Sequence, residues 1–226
     1  MKILLDTANI DQIRAVLPYF PIEGFTTNPS ILAKESDDVK DTIDQLKVLG
    51  EGKRMIHVQV TAADTAGMVR QAEELRDYIG GNFYAKIPIG LQGLRAVPLC
   101  KEKGINVTVT AIFTPTQALL AAMAGADYVA PYVDRLDNIT SNGVSVVDEI
   151  IDMLHLHGLG TQVLAASFKN IQQIFSVASA GVQAVTINTD LCQKILFHPY
   201  TDKSLEDFDM DWRSKFGDKE VTDFLK

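Results

Sequence analysis

Short apolar runs recur along the chain at fairly even intervals, and between most of them lies a longer segment in which apolar residues return every three or four positions. The short runs, rich in β-branched residues, predict strands over Lys2–Asp6, Gly24–Thr27, Met55–Val60, Phe83–Pro88, Asn106–Ala111, Tyr128–Tyr132, Gln162–Ser167 and Ala184–Asn188. The longer segments predict helices that include Asp64–Tyr78, Leu91–Lys103, Thr116–Met123, Val144–Leu156 and Asn170–Ser179. Gly104, Gly125 and Gly181 each follow a helical run and precede an apolar one, as a helix C-cap requires. Strands alternating with helices favour parallel pairing through right-handed crossovers. Eight such units predict closure into a single (β/α)8 barrel; the alternative is an open doubly wound sheet, but no GxGxxG follows any strand. No linker or low-complexity tract breaks the pattern, so residues 1–226 read as one domain.

Alternate side chains of a barrel strand face the axis and the surrounding helices. Phe83, Ala85 and Ile87 are thus expected to face the helices, which turns Tyr84, Lys86 and Pro88 inward. Along the other strands the last inward position is repeatedly polar, giving Asp6, Gln59, Thr110, Tyr132, Ser167 and Asn188, while Thr27 and Asn28 close the second strand. Such groups converge on the C-terminal mouth of the barrel, where barrel enzymes carry their active sites. A partly desolvated lysine in that mouth can be an amine nucleophile that forms a Schiff base with a carbonyl substrate. It can also be one half of a structural ion pair, here with Asp6. Iminium formation needs proton transfers, and Asp6, Gln59, Thr110 and Tyr132 supply the carboxylate, amide and hydroxyl groups that such transfers use.

Composition narrows the partners. A chain of 226 residues with 46% hydrophobic content can fill one large core. A formal charge of −8 without a basic run argues against nucleic acid and anionic membranes, so an anionic substrate has to be collected by a few local cations. No apolar run reaches the length of a signal-sequence core or a membrane span, and a cytoplasmic protein is expected. Cys100 and Cys192 stand far apart with no CxxC and read as reduced, packed thiols. His155 and His157 fall on different helix faces, which gives no metal site. Asp207, Asp209 and Asp211 lack the glycine and glutamate of a calcium loop and read as a solvated helix face, and the sequons at Asn106 and Asn138 are matches by pattern only. In the C-terminal extension, 201–226, Leu205, Phe208, Trp212 and Phe216 recur at helical spacing and form an apolar stripe that needs a surface to cover it.

Five ordered motifs carry a resemblance across essentially the whole chain: "DTAN" at Asp6–Asn9, "TTNPS" at Thr26–Ser30, "KIP" at Lys86–Pro88, "APYVDRLD" at Ala130–Asp137 and "AASFKN" at Ala165–Asn170. Together they resemble the transaldolase family, most closely its small single-barrel members and the fructose-6-phosphate aldolases. The resemblance implies that Lys86 is the Schiff-base lysine on the fourth strand and Asp6 the carboxylate that assists proton transfer beside it. Asn28 would bind substrate hydroxyls and Thr110 would help hold a catalytic water; read alone, they are a loop cap and an ordinary strand threonine. Thr27 joins Asn28 on the substrate side. Arg135, Ser167 and Lys169 match the positions that bind the sugar phosphate, where a guanidinium, a hydroxyl and an ammonium share the phosphate oxygens. Without the resemblance, Arg135 would read as a salt bridge to Asp134 or Asp137. Lysine at 169 keeps the charge but lacks the bidentate fork of arginine, which implies modest phosphate affinity.

Two positions separate the reactions within the resemblance. Where transaldolases carry glutamate on the third strand and phenylalanine on the sixth, this chain has Gln59 and Tyr132, the pattern of fructose-6-phosphate aldolase. A phenol can protonate the three-carbon enamine and release dihydroxyacetone, which phenylalanine cannot. The expected reaction is reversible cleavage of fructose 6-phosphate to dihydroxyacetone and glyceraldehyde 3-phosphate, without a cofactor or metal. The alternatives are transfer of the dihydroxyacetone unit to erythrose 4-phosphate and, in another class, a sugar-phosphate-binding barrel without catalysis. The resemblance also implies a homo-oligomer, a pentamer or decamer, in which the C-terminal helix reaches a neighbour.

Overall fold

β-branched and aromatic side chains favour extended backbone, and in the computed structural model, which describes residues 1–225, eight runs rich in them pair side by side. The strands are β1 (Lys2–Asp6), β2 (Ile22–Thr26), β3 (Met55–Gln59), β4 (Phe83–Pro88), β5 (Asn106–Ile112), β6 (Tyr128–Pro131), β7 (Gln162–Ala165) and β8 (Ala184–Ile187). Each is parallel to the next in chain order and β8 pairs with β1, closing the barrel. Helices α1 (Ile10–Val16), α2 (Pro29–Glu35), α3 (Val39–Gly50), α4 (Thr65–Ile79), α5 (Leu91–Glu102), α6 (Pro115–Met123), α7 (Val133–Asp137), α8 (Gly143–Leu156), α9 (Ile171–Ser179) and α10 (Thr189–Lys194) connect or follow the strands. This is the (β/α)8 architecture that the alternation predicts.

The main apolar core fills the space between strands and helices, with Phe25, Val58, Phe83, Ala85, Ile87, Val107, Val129, Val163 and Val185 supplied by the outward strand faces. Inside the barrel, Leu4, Met55, Tyr128, Leu164 and Ala184 form a separate layer against which Tyr84 packs. His57 joins it, its ring stacked on Tyr84 with centroids 4.5 Å apart and its Nδ1 2.9 Å from Thr108 Oγ1. Burial, reinforced by Lys86 and Lys2, holds this imidazole neutral, well below 6.5. From the N-terminal end Lys2 Nζ donates to Tyr128 Oη at 3.1 Å. Strand β2 approaches β3 so closely that a Cβ on Gly24 would meet the Met55 carbonyl oxygen at 2.4 Å, so only glycine fits.

Helix ends follow local chemistry. Asn9, Asn28, Asp64, Asn142 and Asn170 each accept a backbone N–H from the first turn of the helix they precede. Thr114 and Gln117 form a reciprocal capping box at α6. Gly104, Gly125 and Gly181 follow helix ends with positive φ, as their spacing predicts.

By compactness the chain divides into a unit of Met1–Cys192 and a second that begins at Gln193. The second unit contains α11 (Pro199–Phe216), in which Trp212 and Phe216 turn onto Phe224 of a short 3₁₀ turn, with ring centroids 6.2 and 5.2 Å away. Leu205 and Phe208 of the same apolar stripe are exposed, and Asp207 and Asp209 pair along the helix with Lys203 and Arg213. Lys226, the last residue of the predicted extension, lies outside the described residues. Cys100 and Cys192 are free and buried, and burial pushes both thiols up to about 11. Among the described residues no helix is long and apolar enough to cross a membrane, and no group of three or more His, Cys, Asp or Glu side chains is placed to hold a metal ion.

Candidate active site

At the C-terminal ends of the strands a cavity of about 220 Å³ is lined by residues from all of them but β3, or from the loops that follow, with Lys86 at its inner wall. Lys86 is 5% exposed, and its Nζ donates to the main-chain carbonyl of Thr27 at 2.8 Å. Asp6 lines the same cavity without pairing directly with it; its Oδ1 accepts from Thr26 Oγ1 at 2.6 Å, and Thr26 shares a second hydrogen bond of 2.7 Å with Thr186. The structural ion pair that the sequence also allows is therefore not formed. Burial lowers the Lys86 pKa from 10.5, against the opposing pull of Asp6. Burial also raises the Asp6 carboxyl above 3.8; Lys86 and the Thr26 hydrogen bond oppose the rise, and Glu35 adds to it. Glu35 is fixed nearby, since its Oε2 accepts from Thr7 Oγ1 and from the Ala8 N–H at 2.7 and 2.9 Å.

An amine with a lowered pKa is free of its proton at a lower pH than an ordinary lysine. Trapping of a ketone adduct on Lys86 is therefore expected to rise with pH and level off below 10.5. Borohydride reduction at stepped pH, read by intact mass, measures this; a rise continuing through 10.5 would mark an unperturbed amine.

Thr110, on the strand next to that of Lys86, shares a hydrogen bond of 3.1 Å with Tyr132. Their register is set by a bulge: β5 and β6 slip between Thr110 and Ile112, and Ala111 takes φ +60°. Phe113 packs edge-on against the Tyr132 ring at 5.6 Å. A second non-glycine residue with positive φ is Ser167, at +63°. Leu164 and Ala166 already face the barrel interior, so continued extension would turn Ser167 away; the left-handed turn brings it to the cavity too. Conformations of this kind cost about 1–3 kcal/mol each and concentrate at functional sites.

Two cations complete the mouth. The Arg135 guanidinium, on α7, lies 4.9 Å from the Tyr132 ring centre and pairs with no carboxylate among the described residues. Lys169 also lines the cavity, and its ammonium is likewise unpaired among the described residues. Asp134 and Asp137, the alternative partners of Arg135, are occupied by Gln173, Asn138 and the Gly143 N–H. Asn28 does two jobs at once: its Oδ1 caps α2 through the Ile31 N–H at 2.9 Å while its side chain lines the cavity.

Three predicted positions are placed otherwise. Thr27 does not line the cavity: its carbonyl accepts from Lys86 Nζ, and its own hydroxyl is buried and reaches the His57 carbonyl at 3.4 Å. Gln59 is in register with Lys86 on the neighbouring strand but lines a different, largely apolar cavity of about 420 Å³ with Leu32, Ile43 and Leu75. Asn188 is exposed and accepts from the Leu191 N–H, so it serves α10. Thr26 and Thr186, not singled out from sequence, share the inward side of their strands with Gly24 and Ala184 and could have been found by counting back in twos.

A family model described as Transaldolase/Fructose-6-phosphate aldolase matches residues 3–223. Among solved structures, one titled "Native KDPGal structure" superposes with a TM-score of 0.58 at 15% sequence identity, covering 87% of this chain and 84% of that chain. At that identity the likeness concerns the barrel fold alone.

Proposed function

The chain belongs to the transaldolase/fructose-6-phosphate aldolase family, and on that premise we propose that it is a Schiff-base aldolase cleaving fructose 6-phosphate reversibly to dihydroxyacetone and glyceraldehyde 3-phosphate. The observation that carries this reading is a buried lysine with no carboxylate bonded to it, facing a cavity that also holds Asp6 and the Thr110–Tyr132 hydroxyl pair. The neutral Lys86 amine attacks the keto carbon, and loss of water from the carbinolamine leaves an iminium. Asp6, whose carboxyl holds a proton more readily than usual, takes the proton of the C4 hydroxyl as the C3–C4 bond breaks and the aldehyde leaves. The electron pair of that bond remains as an enamine. Tyr132, polarised by Thr110, delivers a proton to its terminal carbon, and water then releases dihydroxyacetone from Lys86. Arg135, Ser167 and Lys169 hold the phosphate. By the same family premise the working form is a cytoplasmic homo-oligomer, a pentamer or decamer, with the exposed Leu205 and Phe208 supporting a contact through α11.

Incubation with fructose 6-phosphate alone is expected to release both trioses continuously. Product appearing only after erythrose 4-phosphate is added would make the protein a transaldolase. No turnover in either assay, with no borohydride-trapped adduct, would leave a binding barrel.

A further inference from the structure

Gln173, in the first turn of α9, is 8% exposed, and all three of its side-chain hydrogen bonds reach the two segments that carry the cavity's free cations. Its Oε1 accepts the backbone N–H of Lys169 at 2.8 Å. Its Nε2 donates to Asp137 Oδ2 at 2.7 Å and to Asp134 Oδ1 at 3.3 Å, the residues of α7 that flank Arg135. Among the described residues the side-chain hydrogen bonds between α7 and α9 all come from Gln173, beside the main-chain bonds from the Val133 and Asp134 N–H to the Ala166 and Ser167 carbonyls. The remaining oxygens are satisfied as well, Asp134 Oδ2 by Asn138 and Asp137 Oδ1 by the Gly143 N–H. Each of the four carboxylate oxygens thus accepts one hydrogen bond, and neither carboxylate pairs with the guanidinium.

We propose that Gln173 is a positioning residue for phosphate recognition: it fixes Arg135 and Lys169 relative to each other and holds the acidic neighbours of Arg135 away from it. The inference rests on the reading of these two cations as the phosphate site. Glutamine is the side chain that fits the requirement. It offers one acceptor and two donors without charge; glutamate has no donor when ionised, lysine and arginine have no acceptor, and asparagine is one methylene short. An oriented pair of cations matters more to a phosphate than to a hydroxyl, because charge-assisted hydrogen bonds depend steeply on geometry.

The test compares condensation of dihydroxyacetone with glyceraldehyde 3-phosphate and with unphosphorylated glyceraldehyde, in the full-length protein. Gln173→Met and Gln173→Glu are expected to raise KM for the phosphorylated aldehyde about tenfold or more, with kcat little changed. Reaction with glyceraldehyde should stay close to the parent value. In an Arg135→Ala background, itself defective toward the phosphorylated aldehyde, either Gln173 substitution should add little, since both act on one interaction. Equal losses with both aldehydes, or full additivity with Arg135→Ala, would show a merely structural residue and overturn the proposal. If Arg135→Ala leaves KM for glyceraldehyde 3-phosphate unchanged, the phosphate reading itself fails and the proposal with it. If Arg135→Ala is impaired and both Gln173 variants are not, only the positioning role fails.

Discussion

Lys86→Met is expected to remove turnover by roughly 10⁴-fold or more, the scale at which loss of a covalent nucleophile is felt, and to abolish the borohydride-trapped adduct. Methionine keeps the length and bulk of the side chain and deletes the amine. The fold should survive. The substitution costs the hydrogen bond to the Thr27 carbonyl, about 1–3 kcal/mol, and it removes a buried ionisable group whose charged form burial disfavours. A thermal midpoint equal to or above the parent value, with no activity, separates loss of chemistry from loss of structure. Lys169 is the other amine in the cavity. An adduct that persists in Lys86→Met would move the nucleophile there and overturn the assignment.

Tyr132→Phe is expected to divide the two possible reactions. Its ring keeps the contact with Phe113 and its place beside Arg135, and only the hydroxyl shared with Thr110 is lost. Release of dihydroxyacetone from fructose 6-phosphate should fall about 10²-fold or more, the usual weight of a positioned acid or base. The enamine on Lys86 would then persist long enough to meet another aldehyde. Transfer to erythrose 4-phosphate, read as sedoheptulose 7-phosphate, is expected to become the main reaction. Unchanged triose release would show that Tyr132 only packs and that a water held by Thr110 delivers the proton. Equal loss of cleavage and transfer would place Tyr132 before carbon–carbon cleavage.

Strand alternation alone puts Lys86, Thr110 and Tyr132 on the inward side, because the backbone stays extended up to Lys86 on β4, up to Thr110 on β5 and through Tyr132 just past β6, so the period of two applies. It fails where the backbone stops being extended. Ser167 faces the mouth through a left-handed turn, which no hydrophobic pattern encodes. A strand that runs to Thr27 is one residue too long for β2; the inward face there is Gly24 and Thr26, and Thr27 contributes only the carbonyl that holds Lys86. Helices α1, α2 and α3 follow the first strands but have no assigned counterpart in the periodicity reading; two of them have seven residues, too few to establish a 3.6-residue period. Gln173 was invisible for another reason. Its partners belong to α7 and to the turn before α9, and their meeting is a product of barrel closure.

The layer of Leu4, Met55, Tyr84, Tyr128 and Leu164, with His57 stacked into it, lies beneath Lys86. For the proposed chemistry this makes the site a blind alley, with traffic in both directions through the same mouth. The fragment bonded to Lys86 occupies the innermost position, and the aldehyde can only lie outside it. In condensation the ketone must therefore arrive first, and in cleavage it must depart last. An order of binding and release follows from side chains that never touch the substrate.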